Sequence, residues 1–319
     1  EKSHLNLIIS GTSMILHIVL CGFFVYVCDF GLRGASMAVV ATSVYNLVLS
    51  TVIVHKLGLP EESLVYFTKD GLKEWWAFMK VAIPGILISG GEWLGYEIQG
   101  VFAIYISTAA YSTAILTMNL ECSLFPYTFG ISTSVSLKAG ERLISQSADA
   151  LKRYITICYG FSFTLSVIVF FCIIHFGHYF FGVMAPNEEI YQKCMDVIYL
   201  VAWFVFADNC YYFFMGVLKA IGYLRNPTIV TFVCSYCINL TLTYILTNKF
   251  DFEVKGIWIS LCTGCTTGSC IFIYWVYTFD MEEIKQNAIK RIDHDNSKIL
   301  RIEMDTLSDN GDIEKRLIN

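Results

Sequence analysis

Charged side chains are scarce in this sequence. Lys and Arg number 22 and Asp and Glu number 27 among 319 residues, so that 15% of the chain is charged, against about 25% in soluble domains. Hydrophobic residues make up 55% of the chain, and they recur in runs of about 20, the length that a helix needs to cross the bilayer core. This composition excludes a soluble globular domain and predicts an all-α polytopic membrane protein.

Motifs that carry the chemistry of common enzymes are also missing. The sequence contains no glycine-rich nucleotide-binding loop, no nucleophile with an adjacent base and no cluster of metal ligands. Cys234-x-x-Cys237 and Cys262-x-x-Cys265 have the spacing of zinc ligands, but they lie in apolar runs with Ser, Thr and Gly, which favours helix packing. The sequence therefore offers no support for an enzyme, for ATP-driven transport or for a resident metal or cofactor.

Eight apolar runs predict eight membrane-spanning helices. They cover residues 5–27, 34–54, 77–97, 101–134, 154–176, 189–218, 228–247 and 255–279. The segment 281–319 is polar and has no continuous apolar run, so we expect a soluble tail with one short helix followed by disorder.

Lys and Arg are unevenly distributed between the two sets of loops. One set, together with the tail, carries Lys56, Lys69, Lys73, Lys138, Arg142, Lys152, Arg153, Lys219, Arg225, Lys285, Lys290, Arg291 and Lys298. The other set carries only Arg33, Lys193, Lys249 and Lys255. Because cytoplasmic loops are the richer in basic residues, we expect the C-terminus to be cytoplasmic. The membrane would be the plasma membrane or a vacuolar or other organelle membrane.

Two short stretches of the sequence resemble each other. CDFGLRGASMAVVATS at 28–43 aligns with FDFEVKGIWISLCTGC at 250–265 at an offset of 222 residues, and each stands between two apolar runs. This similarity indicates an internal repeat that relates the helix pair 5–54 to the pair 228–279. A complete repeat would place roughly 150 residues and four helices before residue 1, and would give two parallel six-helix halves with substrate between them.

Acidic residues inside the predicted spans are the main candidates for function. The third span contains GGEWLGYEIQG, with Glu92 and Glu97 about 140° apart around a helix and Tyr96 on the face of Glu92. A charged carboxylate at the bilayer centre costs roughly 2.5–3.5 kcal/mol, so such residues face a bundle interior or an aqueous cavity. Glu92 fits that description, whereas Glu97 is equally compatible with a solvated position at the helix end.

The fourth span combines polar residues with a proline. Asn119 and Glu121 precede Pro126, which we expect to break or kink the helix. Glu121 is a candidate for the lining of a cavity, and pairing with a cation on a neighbouring helix is the alternative.

The sixth span places a carboxylate near its middle. Asp208 is followed by Tyr211 and Tyr212, which share its face at separations of three and four residues. We interpret Asp208 as a functional group, with a structural polar contact as the alternative. For Tyr212, packing or a position at the membrane interface is the simpler interpretation.

Several motifs, in order along the chain, resemble those of the multidrug and toxic compound extrusion (MATE) transporters of the eukaryotic branch. KVAIPGILISGGEWLGYE at 80–97 is similar to the family's seventh helix, in which a Pro precedes a Glu-Trp-Trp-x-(Phe/Tyr)-Glu motif; Leu94 stands at the second Trp. Further similar stretches are FGISTSVSLKAGERL at 129–143, FMGVLKAIGYLRNP at 214–227 and VKGIWISLCTG at 254–264. The resemblance covers about residues 5–280.

The resemblance implies a fold of two six-helix lobes, with this chain as helices five to twelve. Residues 1–55 would be the last two helices of the N-terminal lobe, 56–76 a cytoplasmic linker, 77–280 the C-terminal lobe and 281–319 a cytoplasmic tail. The chain departs from the family pattern at Thr241, where the family has a Pro, at the Ile-Ser-Gln of 144–146 in place of Gly-x-Gly, and at the shifted Pro126.

The resemblance also implies secondary antiport, in which organic cations or xenobiotics leave while protons or sodium ions enter. The transporter would be a monomer in lipid, without a cofactor or a nucleic-acid partner. The family's acidic positions fall on Glu92, Glu97 and Asp208, which would form the proton or cation site. An acidic position of the eighth helix falls on Asn119, which makes Glu121 a candidate substitute. The implied substrate cavity is lined by Trp93, Tyr96, Asn119, Glu121, Tyr211 and Tyr236.

Two other functions stay open at this point. A flippase for lipid-linked oligosaccharides shares the helix arrangement, but it needs basic residues for phosphate, and no Lys or Arg lies deep in a predicted span. A non-transporting receptor is compatible with eight spans, but it leaves the repeat and the intramembrane carboxylates unexplained. A polar, acidic cavity would favour the antiporter over both.

Overall fold

The computed structural model describes residues 3–56, 75–223 and 225–290; within these ranges, the side chains of 3, 4, 6, 54, 77, 80, 81, 84–89, 91, 92 and 225 are outside the described set. The chain divides into two compact units, Glu1–Lys80 and Val81–Asn319. Six of the described helices are long and apolar enough to cross a membrane. Most of the predicted linker, residues 57–74, and the end of the predicted tail, 291–319, lie outside the described residues.

The first unit contains a helical hairpin. Its elements are α1 (Ser3–Gly22), the π-helical turn π1 (Phe23–Val27) and α2 (Gly31–Lys56). The Ser13 hydroxyl hydrogen-bonds the Asn46 side chain, and His17 Nδ1 lies 3.2 Å from Thr42 Oγ1. Polar side chains in membrane helices need partners of this kind, so these pairs join α1 to α2 within their apolar length.

The remaining helices follow in chain order. They are α3 (Trp75–Ile106), α4 (Thr108–Ser145), α5 (Ala148–Met184), α6 (Glu188–Ala220), α7 (Arg225–Phe232), the π-helical π2 (Val233–Leu240), α8 (Thr241–Asn248), α9 (Glu253–Thr278) and α10 (281–290). Helix α6 packs against α4, α5 and α9, and its Phe213, Phe214 and Leu218 are fully buried. A helix that is apolar on all sides is a core helix, and α6 is the core of the second unit.

Helix α9 fits against its neighbours through a stripe of small residues. The stripe consists of Gly256, Ser260, Gly264 and Gly268. A Cβ added at Gly268 would lie 2.8 Å from Tyr211 Cε2 of α6, and a Cβ added at Gly264 would overlap the Asn239 amide of π2. Small residues four apart allow this close approach between membrane helices, and here it brings α6, π2 and α9 together around Asp208.

A buried amide joins α6 to two further helices. Asn209 is fully buried, and its Nδ2 donates to Ser162 Oγ at 2.8 Å and to Ser166 Oγ at 2.5 Å on α5. Ser166 Oγ also lies 2.9 Å from Tyr127 Oη of α4. These bonds restrain the rotation of α6 about its own axis, and therefore the direction in which the adjacent Asp208 points.

The repeat predicted from the sequence is present in the backbone of two turns. Asp29 and Asp251 both adopt a positive φ, 55° and 58° respectively. In each turn the next residue, a Phe, donates its N–H at 3.1 Å to the carbonyl six residues earlier. Gly34 then packs against Phe24 in the first turn, and Gly256 packs against Leu246 in the second. All these pairs are 222 residues apart, so the sequence offset corresponds to a repeated turn geometry.

The boundary between the third and fourth helices differs from the sequence prediction. The predicted gap around residues 98–100 is helical, and Gln99 is 1% exposed. The break lies at Ser107, which is extended (φ −170°, ψ 162°) and whose Oγ accepts a hydrogen bond from Ala110 N at 3.0 Å. The predicted boundary was wrong because Ser107 caps α4, whereas Gly100 is tolerated inside α3.

Of the break or kink expected at Pro126, the break does not occur. Helix α4 continues from Thr108 to Ser145 with Pro126 inside it, since membrane helices tolerate proline where neighbouring groups satisfy the backbone. The seventh span, by contrast, changes to the π-helical π2 and returns to an α-helix at Thr241.

The short helix expected in the tail is α10. Its Lys285 Nζ donates at 2.6 Å to the carbonyl oxygen of Gln146, the residue that follows α4. A cation at the C-terminal end of a helix satisfies free carbonyl groups and complements the helix dipole. Met281 is 1% exposed, so α10 is packed against the second unit.

Substitution of Gly34 tests the first repeated turn. A Cβ at this position would lie 2.7 Å from the Phe24 carbonyl oxygen, and overpacking of this kind costs about 1–3 kcal/mol. We expect Gly34→Ala to lower the thermal unfolding midpoint of the full-length protein in detergent. Gly11→Ala is the control, because nothing lies within 4 Å of its added Cβ. Equal midpoints for the two variants would contradict the close approach in the turn.

Candidate functional site

Asp208 borders a small cavity at the centre of the second unit. The side chain lies near the middle of α6 and is 4% exposed, and the cavity, called here the inner cavity, has a volume of about 30 Å³. The inner cavity is lined by Tyr96, Phe204, Asp208, Tyr211, Cys234, Ser235, Asn239, Gly264 and Cys265. Three of these residues come from π2, a type of segment that is frequent at functional sites.

A larger cavity of about 320 Å³, called here the aromatic cavity, lies between α3, α4 and α6. Its lining consists of Trp93, Tyr96, Glu97, Gly100, Tyr111, Ile115, Met118, Asn119, Glu121, Cys122, Phe125 and Tyr212. Tyr96 lines both cavities, so the space beside Asp208 and the space beside the two glutamates share one side chain.

Aromatic rings form most of one wall of the aromatic cavity. The ring centroids of Trp93 and Phe125 are 6.1 Å apart, those of Phe125 and Tyr212 are 5.3 Å apart, and both pairs meet edge to face. Tyr96 meets Trp93 in the same way at 6.3 Å. Because the faces of aromatic rings carry negative electrostatic potential, a wall of this kind attracts cations.

Two carboxylates lie in the same cavity as these rings. Glu97 is exposed and Glu121 is 9% exposed, and the Cys122 thiol donates to Glu121 Oε2 at 3.4 Å. A carboxylate removed from water is stabilised by a proton or by a cationic partner. The combination of a buried carboxylate, an exposed one and aromatic faces is suited to binding an organic cation.

The structure places most of the predicted site residues in these two cavities. Trp93, Tyr96, Glu97, Asn119 and Glu121 line the aromatic cavity, and Asp208, Tyr96 and Tyr211 line the inner cavity. Asn119 and Glu121 therefore border the same space, although their spacing put them on different faces of a helix. The side chain of Glu92 lies outside the described residues, and its role stays a prediction.

Two predicted members of the substrate cavity are located elsewhere. Tyr211 is not among the residues that line the aromatic cavity; its hydroxyl lies 2.5 Å from Thr231 Oγ1. Tyr236 lines neither cavity and stacks on Phe232 with 4.6 Å between ring centroids. Their assignment to the substrate cavity therefore stays a prediction, with Tyr211 at the inner cavity on α6 and Tyr236 in the π-helical π2.

Sequence reasoning overlooked several lining residues. Tyr212 was assigned to packing but lines the aromatic cavity, as do Phe125 and Met118. Phe125 lies four residues after Glu121 and Tyr212 lies four residues after Asp208, a spacing that places each pair on one helix face. That spacing could have identified Phe125 from Glu121, whereas Tyr212 lines a different cavity from Asp208. Nothing in the local sequence of Asn239 pointed to the inner cavity.

Comparisons with known proteins agree with this arrangement. The model of the MatE family matches residues 84–245, just over half of the chain. Protein DETOXIFICATION 17 of Arabidopsis thaliana is 21% identical over 292 residues, which cover 91% of this chain and 61% of that protein. Multidrug and toxin extrusion protein 1 of Danio rerio is 21% identical over 277 residues, which cover 87% of this chain and 47% of that protein. The chain thus spans less than two thirds of the length of these relatives.

A solved structure supports the fold. The eukaryotic MATE transporter AtDTX14 is similar with a TM-score of 0.75 at 17% identity, over 89% of this chain and 64% of that one. The residues matched by the family model include those of α4 and α6 and the π2 segment, which supply most of the lining of both cavities. The chain is therefore a multi-pass membrane protein that belongs to the MatE family of multidrug and toxic compound extrusion proteins.

Proposed function

We propose that this chain is part of a secondary antiporter that exports organic cations or xenobiotics in exchange for protons or sodium ions. The observation that carries the proposal is the aromatic cavity, in which Glu97 and Glu121 share one space with Trp93, Phe125 and Tyr212. Ligand sites of small-molecule size have volumes of about 300–1,000 Å³ with mostly apolar walls and a few polar groups. A cavity of about 320 Å³ is at the lower end of that range, which favours a small, flat cation.

The two carboxylates have different tasks in this proposal. Glu97 is exposed, so it attracts a cation from water at little cost of desolvation, whereas Glu121 is 9% exposed and interacts with the bound cation at short range. Aromatic faces replace part of the hydration shell that an organic cation loses on entry. Charge and ring faces together select a cation over a neutral molecule of the same shape.

Coupling to an inorganic cation or a proton is assigned to the inner cavity. Asp208 supplies one negative charge there, and Tyr96 lies between this charge and the aromatic cavity. Antiport requires that occupancy of one site bias the protein against occupancy of the other. Two cations bound in adjacent cavities repel each other, so occupancy of one carboxylate site disfavours occupancy of the other. Tyr96, which both cavities share, couples them further.

The lining of the cavities favours the antiporter over the flippase. Among the described residues that line the two cavities there is no Lys and no Arg. A carrier of lipid-linked phosphate needs cationic partners for the phosphate oxygens, and carboxylates would repel it. We also propose that the transporter is a monomer and that its C-terminus is cytoplasmic. The basic residues of one set of loops support the cytoplasmic orientation.

Neutralising Asp208 tests the coupling site. We expect Asp208→Asn in the full-length protein to reduce gradient-driven ethidium efflux from proteoliposomes to the background rate, because an amide neither takes up a proton nor balances a cation. The matched control is Asp196→Asn on the same helix, whose carboxylate is exposed and pairs with Lys255 at 3.1 Å. Such surface pairs contribute little, so the control should transport at the wild-type rate. Wild-type efflux by Asp208→Asn would rule out this residue as the coupling site.

Neutralising Glu121 tests the substrate site separately. We expect Glu121→Gln to raise KM for a cationic substrate about tenfold, since hydrogen bonds to charged groups contribute about 1.5–3 kcal/mol and each 1.4 kcal/mol is about a factor of ten. Glu141→Gln is the control on the same helix, with an exposed carboxylate that pairs with Lys138 at 2.9 Å. Unchanged KM in the Glu121 variant, with transport intact, would remove Glu121 from the substrate site.

A further inference from the structure

One tryptophan of α9 contacts the helices that supply the walls of both cavities. Trp258 is 1% exposed and is not among the described residues that line either cavity. Its ring meets Phe204 of α6 edge to face with 5.7 Å between centroids, and Phe204 meets Tyr96 of α3 in the same way at 6.4 Å. Phe204 lines the inner cavity and Tyr96 lines both cavities, so Trp258 lies directly behind a wall of the inner cavity.

The indole N–H of Trp258 joins α9 to α4. Trp258 Nε1 donates to Thr117 Oγ1 at 3.1 Å. The Thr117 hydroxyl donates its own hydrogen to the carbonyl oxygen of Thr113 at 2.8 Å, so its oxygen is the acceptor for the indole and the direction of the bond is fixed. Thr117 is fully buried, and an indole N–H left unpaired in such surroundings is unfavourable. The bond therefore holds α4 and α9 together at one defined point.

Both contacts of Trp258 lie one helical turn before a carboxylate. Phe204 precedes Asp208 by four residues on α6, and Thr117 precedes Glu121 by four residues on α4. Residues four apart are neighbours on one helix face. A single side chain thus contacts the turn before the coupling carboxylate and the turn before the buried carboxylate of the aromatic cavity.

The segment of α9 that carries Trp258 is itself attached to two neighbouring helices. Ser260 Oγ lies 2.5 Å from Thr243 Oγ1 of α8, and both residues are fully buried. At the start of α9, Glu253 Oε2 lies 2.6 Å from Lys193 Nζ of α6. A side chain holds its neighbours in a defined geometry only where its own position is supported, and these contacts supply that support.

We propose that Trp258 is a positioning residue for both cavities, and that it determines how strongly the organic cation and the coupling cation oppose each other's binding. The inference rests on the proposed function, in which the two cations occupy separate cavities, and extends it by the residue that connects them. A guest beside Asp208 acts on Phe204, which lines the same cavity. Because protein interiors are close-packed, Trp258 transmits a displacement of Phe204 to Thr117 and so to the turn before Glu121.

The test measures how the charge state of the inner cavity affects binding in the aromatic cavity. The full-length protein in detergent and choline chloride is titrated calorimetrically with tetraphenylphosphonium. Asp208→Asn represents the neutralised carboxylate, whichever cation neutralises it in the transport cycle. The coupling ratio is the dissociation constant in Asp208→Asn divided by the value with Asp208 intact. Coupled sites typically change each other's affinity about 5- to 150-fold, and we expect a ratio of that order in the wild-type background.

A second pair of titrations, in the Trp258→Phe background, tests the proposal. We expect the coupling ratio to be about threefold or more lower there, with tetraphenylphosphonium still bound. Trp275→Phe is the matched control, because it is the same substitution on the same helix, at a ring that packs against Phe272 and Phe279. Its ratio should equal that of the wild type.

The stoichiometry of binding identifies a merely structural role. A Trp258 that only supports the fold would lower the fraction of protein that binds tetraphenylphosphonium and leave the coupling ratio unchanged. That result would overturn the proposal, and so would an equal fall of the ratio in the Trp275→Phe control.

Substitutions of Thr117 test the hydrogen bond at a residue that is not among the described lining of either cavity. Thr117→Val keeps the shape of the side chain and removes the acceptor, so it should lower the coupling ratio. Thr117→Ser retains the oxygen and should keep the wild-type ratio. In Trp258→Phe, the addition of Thr117→Val should have no further effect, since the donor is already absent. If Trp258→Phe does not accumulate in the membrane, the Thr117 variants carry the test, and equal ratios for Val and Ser would overturn the proposal.

The outcomes separate this inference from the proposed function. A clear coupling ratio in the wild type that is unchanged in Trp258→Phe and in Thr117→Val overturns the role of Trp258 and leaves the antiporter in place. Equal affinity for tetraphenylphosphonium in the wild type and in Asp208→Asn shows that the two cavities do not communicate. That result contradicts the proposed coupling between the sites, and this inference with it.

Discussion

The burial of α6 is the constraint on which the candidate site depends. A carboxylate in the middle of a helix that packs against α4, α5 and α9 is not solvated by bulk water, so its charge has to be compensated within the protein. The Asn209 network restrains the rotation of the helix on the α5 side, and on the α9 side glycines permit the approach that encloses Asp208. Asp208 thus borders a cavity of only about 30 Å³.

Two adjacent cavities with different properties follow from this arrangement. The inner cavity is small, and its lining combines three aromatic residues with two cysteines, small polar residues and, among the described residues, one carboxylate. The aromatic cavity is about ten times larger by volume and combines rings with two carboxylates. Cysteines such as Cys234 and Cys265 serve here as small apolar groups along the inner cavity, which is consistent with the packing interpretation of the Cys-x-x-Cys pairs.

The sequence identified the chemistry of the site better than its geometry. Glu121 and Asp208 stood out because a carboxylate inside an apolar run is expensive, and that reasoning needs no tertiary information. The repeated turn at Asp29 and Asp251 was detectable because side-chain identity and backbone geometry recur together. Asn239 was missed because it lies in π2, and no local pattern in that segment signals a π-helical turn.

The same limit applies to helix boundaries. The apolar runs predicted a helix end at residue 97, but the cap is Ser107, and the deciding factor is a single side chain that accepts a hydrogen bond from the backbone N–H of Ala110. The continuation of α4 through Pro126 depends on tertiary neighbours, which are not readable from the local sequence. Helix boundaries of this kind can be located only when the packing of the helix bundle is known.

The central claim is that an organic cation and a coupling cation occupy separate cavities that share Tyr96 and oppose each other's binding. Calorimetric titration of the full-length protein with tetraphenylphosphonium, in choline chloride and in saturating sodium chloride, tests it directly. The account predicts that sodium weakens binding of the organic cation and, by thermodynamic reciprocity, that the organic cation weakens sodium-dependent stabilisation to the same degree. Equal affinity for the organic cation in both salts, in a protein that binds each cation alone, would contradict it.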